Sequence, residues 1–200
     1  MKLSSYMLMI GTSFLATICS PEDEPAQTFR VDTENIITVE GNQSNFNLND
    51  AIVISTDISN SQVDTSGNSF LLSSQFYDDT LNESFLQHTL VLYRENGFGT
   101  LSEIAITNDN IQSLVGETET NNEFITTRSY YDSATDSFRS QYSITLREAG
   151  TYYLSHTRLN FSDLSKIFIT GGIFELGFVE ITTCIQNSNG DCAYAFEVTE

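Results

Sequence analysis

The sequence holds no tryptophan and only two prolines, Pro21 and Pro25, both near its start. Without tryptophan it lacks one of the aromatic platforms that line sugar clefts, which weighs against a glycosidase and a carbohydrate module alike, although tyrosine also stacks. From Ala26 onward no proline removes a backbone donor from a β-ladder. Basic residues are few: 8 Lys and Arg stand against 27 Asp and Glu, for a formal net charge of −19. Such a surface repels phosphate and anionic headgroups, so nucleic acid partners and charge-driven membrane binding are excluded. There is no Gly-x-Ser-x-Gly elbow, no His-Glu-x-x-His, no Cys-x-x-Cys and no glycine-rich phosphate loop. Nucleophilic hydrolysis, zinc chemistry and nucleotide binding therefore have no support. The two histidines offer little more. His156 shares strand parity with Tyr152 and Leu154 and reads as a core or edge residue, and His88 beside Thr89–Tyr93 shows no partner signal.

What is present begins with an address. Lys2 is the only charge before Glu22, and Tyr6–Ile18 is mostly apolar. A basic start and a short apolar run make a secretory signal over residues 1–18. The run is too short for a membrane span, which needs about 20 apolar residues. Two cleavages compete. One falls before Cys19, which then carries lipid; the other falls after Ser20 and releases a soluble protein with Pro21 next to the cut. Loss of Lys2 takes the net charge from −19 to −20. That leaves lipid as the plausible tether, with more than one acyl chain needed for stable anchoring. Residues 19–27 read as an acidic flexible stalk.

The stretch Cys19-Ser-Pro-Glu-Asp-Glu-Pro25 resembles the start of surface lipoproteins of Bacteroidota-type bacteria, at Cys19, Ser20, Glu22, Asp23 and Glu24. The resemblance implies an outer-membrane, lipid-anchored, surface-exposed protein with lipid on Cys19. It covers only about the first 25 residues.

Residues 28–200 read as one all-β domain. Ala51–Ile58 puts Ile52, Ile54 and Ile58 on one face. Ser137–Arg147 sets Phe138, Tyr142, Ile144 and Leu146 against Arg139, Gln141, Ser143, Thr145 and Arg147, and Cys192–Val198 alternates Tyr194, Phe196 and Val198 with smaller or polar residues. Period two with one apolar face marks a half-buried strand. Further strands are expected at Thr28–Asp32, Ile36–Glu40, Ser69–Phe76, Phe85–Arg94, Ser102–Thr107, Phe124–Tyr131, Thr151–Arg158 and Leu176–Thr183, with a short helix near Phe161–Ile167. Polar turns such as Ser59–Asn68 and Asn96–Thr100 separate them. The pattern predicts an antiparallel β-sandwich. Leu146–Leu154 resembles the tyrosine-corner turn of immunoglobulin-like domains, with Glu148, Gly150, Tyr152 and Leu154 in the matching places. The resemblance implies an Ig-like fold and a tyrosine hydroxyl bonded to nearby backbone; an ordinary hairpin turning at Gly150 is the other reading.

With Cys19 lipidated, Cys184 and Cys192 are left to pair in an oxidising compartment. A tight Asn189–Gly190 hairpin would not bring their sulfurs together, so the bridge predicts a wider loop. Asn187, Asn189 and Asp191 on that loop are the candidate binding residues, against the simpler role of a staple. Oxygen-rich turns at Tyr77–Asp79, Thr107–Asn110 and Asn187–Asp191 could hold a weak Ca2+, but Asx turns account for all three without a cofactor. The expected function is a non-enzymatic surface lipoprotein that binds a surface protein or glycan. Two alternatives differ in what they require. An accessory glycan-binding module of a nutrient-uptake system needs Tyr130, Tyr131, Tyr152 and Tyr153 exposed together. A carboxylate-based glycoside hydrolase needs two acids roughly 5–10 Å apart across a cleft.

Overall fold

A computed structural model describes residues 27–75, 84–156, 166–173, 177–190 and 192–200. The signal segment, Cys19, nearly all of the stalk and most of the helix expected at Phe161–Ile167 lie outside these residues. Within them the chain forms β1 (Gln27–Asp32), β2 (Ile37–Val39), β3 (Asn45–Asn47) and β4 (Ala51–Ser59), then a separate small hairpin of β5 (Ser61–Val63) and β6 (Ser69–Leu71). The central strand β7 (Phe85–Glu95) is followed by β8 (Leu101–Glu103), β9 (Ile111–Val115), β10 (Glu117–Asn121), β11 (Phe124–Asp132) and β12 (Ser137–Thr145). The last four are β13 (Gly150–Ser155), β14 (Ile167–Ile173), β15 (Gly177–Thr183) and β16 (Tyr194–Thr199).

The alternation in β12 works as its sequence implies. Phe138, Tyr142 and Ile144 are buried and lie opposite Ile58, Ile54 and Ile52 of β4. Burying each such side chain contributes about 1.5–3 kcal/mol. The larger sheet runs β1-β15-β14-β7-β11-β12-β4-β2. Strand β7 carries it around a bend. The first part of β7 pairs with β11 and β14, and its last part pairs with β13 and β8. Strand β13 leads on to β16 and β3. At the far corner Ile37 of β2 bridges Ile185, just beyond β15, and the Gln186 amide donates to the Ile37 carbonyl at 2.8 Å. The curled sheet thus closes over one core and makes the expected all-β sandwich.

Four local expectations are corrected. The sandwich is not wholly antiparallel, because β1 runs parallel to β15 and β3 parallel to β16. These partners are distant in sequence, so no hairpin dictates their direction. The strand expected at Ser69–Phe76 stops at Leu71 and gives way to a helical turn, Leu72–Gln75. Asn60 causes the stop: its carbonyl takes the Leu72 amide at 2.9 Å and its side chain takes the Ser73 amide at 2.8 Å. The stalk also ends one residue early, since Gln27 already pairs with Gly177. Ile167, the end of the expected helix, opens β14.

Two devices position the strands. The Tyr152 hydroxyl donates to the Glu148 carbonyl at 2.8 Å, and its ring stacks on Phe196 at 5.4 Å. The Leu146–Leu154 turn thus makes the hydroxyl-to-backbone bond expected of it. Tyr152→Phe keeps the stacked ring and removes the bond, so it is expected to cost about 1 kcal/mol. A urea midpoint identical to that of the parent would show that the corner bond adds nothing. The second device is a fork. β11 and β12 pair only at Tyr130–Asp132 and Ser137–Arg139; beyond that β9 joins β12 and β10 joins β11. Gly116, with φ of 70°, turns the chain in the crotch of the fork.

Candidate functional site

Alternation along β14, β7 and β11 sends Ile167, Ile169, Leu86, His88, Leu90, Ile125 and Thr127 into the core. The opposite parity builds an outer face. Register aligns Thr89 with Thr126, and Gln87 with both Arg128 and Thr170. The Thr89 and Thr126 hydroxyls lie 3.3 Å apart. One end of this face is charged and already paired. The Arg128 guanidinium sits 3.1 Å from Glu117 and 5.6 Å from the Phe85 ring centre, which in turn lies 6.0 Å from Tyr130. The Tyr130 hydroxyl and Arg128 hold the Glu117 carboxyl below its ordinary range.

The other end is an open depression of about 460 Å³. Thr89, Thr126 and Thr170 floor it, with Gln87 and Asn121 beside them. Phe124 and Phe168, 40% and 41% exposed, rise on the strands either side of β7. The His156 ring packs edge-on to Phe168 at 5.7 Å. No lining residue among those described carries a formal charge at neutral pH. Burial lowers the His156 pKa and pushes that of His88 down to about 4. His88 adjoins the depression from below, buried at 2% exposure, and neither ring nitrogen has a hydrogen-bond partner among the described residues.

The residues singled out from sequence are placed differently. Cys184 and Cys192 form a disulfide, with Cα atoms 4.8 Å apart. Their loop is neither a tight hairpin nor a widened one, because β15 and β16 do not pair; it carries the chain from one wing of the sheet to the other. Asn187 is exposed, with φ of 60°. The Asn189 side chain accepts the Ala193 amide at 3.1 Å, so its oxygen serves the turn. Asp191 lies outside the described residues. The bridge closes a loop of sequence separation 8, which in the chain-entropy model contributes about 2–3 kcal/mol. The double variant Cys184→Ser, Cys192→Ser is expected to lose that much by equilibrium urea unfolding, and an unchanged midpoint would refute a stabilising bridge.

The tyrosines do not gather. Tyr152 is core, Tyr153 donates to Glu95 at 3.2 Å, Tyr131 donates to Asp136 at 2.8 Å, and Tyr130 lies against Phe85. The exposed tyrosine platform required by the glycan-module alternative is absent from these positions. Of the oxygen-rich turns, Tyr77–Asp79 lies outside the described residues. In Thr107–Asn110 the Asn108 side chain accepts from Thr120 at 3.0 Å. No group of three His, Cys, Asp or Glu among the described residues could hold a metal, and no described helix is long and apolar enough to cross a membrane.

No family model matches the chain, and no curated protein matches it. Among solved structures it is similar to the human F-spondin reeler domain, at 14% identity and a TM-score of 0.40, over 90% of this chain and 100% of that one. It is also similar to a type II cohesin domain from the cellulosome of Acetivibrio cellulolyticus, at 10% identity and a TM-score of 0.35, over 86% and 95%.

Proposed function

We propose that the protein is a lipid-anchored, surface-exposed β-sandwich that binds a ligand without transforming it, through the outer face of β14, β7 and β11. The observation that carries this reading is the depression itself. It combines two exposed phenyl rings with a hydroxyl and amide floor, and no acid lines it among the described residues. Among the described residues a carboxylate-based hydrolase has no acid pair there to work with. Rigid strands set these groups, which suits recognition in a largely preformed site.

Chemical-shift mapping with a mixed library of small polar ligands tests the binding role. Perturbations are expected at the amides of Thr89, Thr126 and Thr170. Perturbations confined to other faces, or turnover of any library member, would overturn it. The anchor is tested separately: labelled fatty acid should enter the parent and not Cys19→Ala, and protease treatment of intact cells should release the domain. A soluble periplasmic protein beginning at Pro21 would end that part of the reading.

A further inference from the structure

We infer that the depression between Phe124 and Phe168 takes an uncharged carbohydrate, one or two rings of a neutral glycan. This rests on the reading of that face as the binding surface and names its ligand class. The first argument is charge. The chain carries 27 acids and 8 bases, yet none of either lines the depression among the described residues. Arg128, a described cation on the same face, is held by Glu117 at 3.1 Å and Glu119 at 3.6 Å. An ionic ligand would find no counter-charge at the floor, and an anionic one would also meet the repulsion of the whole surface.

The second argument is the pattern of groups. Phe124 and Phe168 offer apolar faces, and the His156 ring props Phe168 from its edge. Between them Thr89, Thr126 and Thr170 present hydroxyls, of which Thr89 and Thr126 already share one bond at 3.3 Å, and Gln87, whose oxygen accepts from Arg128 at 3.4 Å, and Asn121 offer amides. A pyranose has the matching character, with C–H faces and a rim of hydroxyls that both donate and accept. A purely apolar ligand would cut these groups off from water and leave unmet whatever hydrogen-bonding capacity remains beyond the Thr89–Thr126 and Arg128–Gln87 bonds, at a cost. An extended peptide has no free ladder to join, because β7 is paired on both edges here, to β11 and to β14. The volume of about 460 Å³ falls within the roughly 300–1,000 Å³ typical of small-molecule sites.

The experiment uses the full mature chain with its bridge intact. Titration calorimetry is run against neutral oligosaccharides of glucose, galactose, mannose, xylose and N-acetylglucosamine, against polygalacturonate and a sulfated glycan, and against a peptide library. Binding to at least one neutral class is expected, little changed by added salt because no charge pairs form. Phe168→Ala and Phe124→Ala should each weaken it at least about tenfold, which is 1.4 kcal/mol, with an unchanged melting temperature. Thr126→Val, similar in shape, should weaken it without disturbing the rings. Binding of peptides or acidic glycans alone at this face would overturn the carbohydrate assignment and leave the binding role standing. Failure of every ligand to engage the face would overturn both. Neutral-glycan binding indifferent to both phenylalanine variants would move the site elsewhere and end the inference.

Discussion

Gly116→Ala is expected to cost about 3–5 kcal/mol, enough to unfold a domain of ordinary marginal stability. Two effects add. The backbone there has φ of 70°, where any side chain is strained, by roughly 1–2 kcal/mol. A Cβ at this position would also lie 2.5 Å from the Arg128 carbonyl oxygen and 3.1 Å from the Ser140 Cβ. Neither neighbour yields easily. Arg128 belongs to β11 and Ser140 to β12, and the Ser129 and Ser140 hydroxyls are bonded in the core at 2.8 Å. Relief of the contact would spread the fork and break the ladders of β9 and β10. Gly97→Ala is the control, since a Cβ there meets nothing within 4 Å and the change should stay within about 0.5 kcal/mol. Equal urea midpoints for the two variants would show that the fork does not need its glycine.

Acidification from pH 6.5 to pH 5 is expected to remove about 2 kcal/mol through His88 alone. The folded protein holds this imidazole at a pKa of about 4, by burial, whereas the unfolded chain returns it to about 6.5. The unfolded state therefore binds the proton first. Stability falls as pH drops below about 6.5, and the loss levels off below about 4, at roughly 3 kcal/mol in total. His156, also lowered by burial, adds a contribution of the same sign. The lowered carboxyls of Asp32, Asp64, Asp136 and Glu117 act further down, as pH falls below the ordinary carboxylate values toward their folded ones. His88→Leu should abolish most of the slope between pH 6.5 and 5. It should not weaken the protein at pH 7, because the neutral ring already leaves two nitrogens without described partners. A parent-like slope in His88→Leu would show that the titration lies elsewhere.

His88 also shows where the sequence could have said more. Leu86 and Leu90 flank it at the same parity, and that alone places the ring in the core. Strands with one apolar face, such as β4, β12 and β16, were legible because burial writes period two directly into composition. β9 and β10 were not. Gln112–Val115 and much of Glu117–Asn121 remain exposed, so those strands exist through the ladder offered by a forked hairpin and leave little hydrophobic trace. β14 was obscured differently: a polar run before it mimics a helix cap, while Ile167, Phe168 and Ile169 only make sense beside β15. The depression was hidden for a related reason. Thr89, Thr126 and Thr170 sit on separate strands far apart in sequence, and only register brings them together. The Leu146–Leu154 turn was the opposite case, local, with residues close enough in sequence to be seen as a unit.

The parallel pairings of β1 with β15 and of β3 with β16 set the tempo of folding. Both strands near the start of the domain find their partners only about 150 residues later. Closing such long loops before any contact rewards them is slow, and chains dominated by distant pairings fold in milliseconds to seconds. A nascent chain lacking β16 would leave β3 with no ladder partner, and β13 with β7 alone. Completion of the sheet therefore waits for the last residues to emerge. That delay suits the export route proposed for the protein, in which the polypeptide crosses a membrane extended and acquires its shape on the far side.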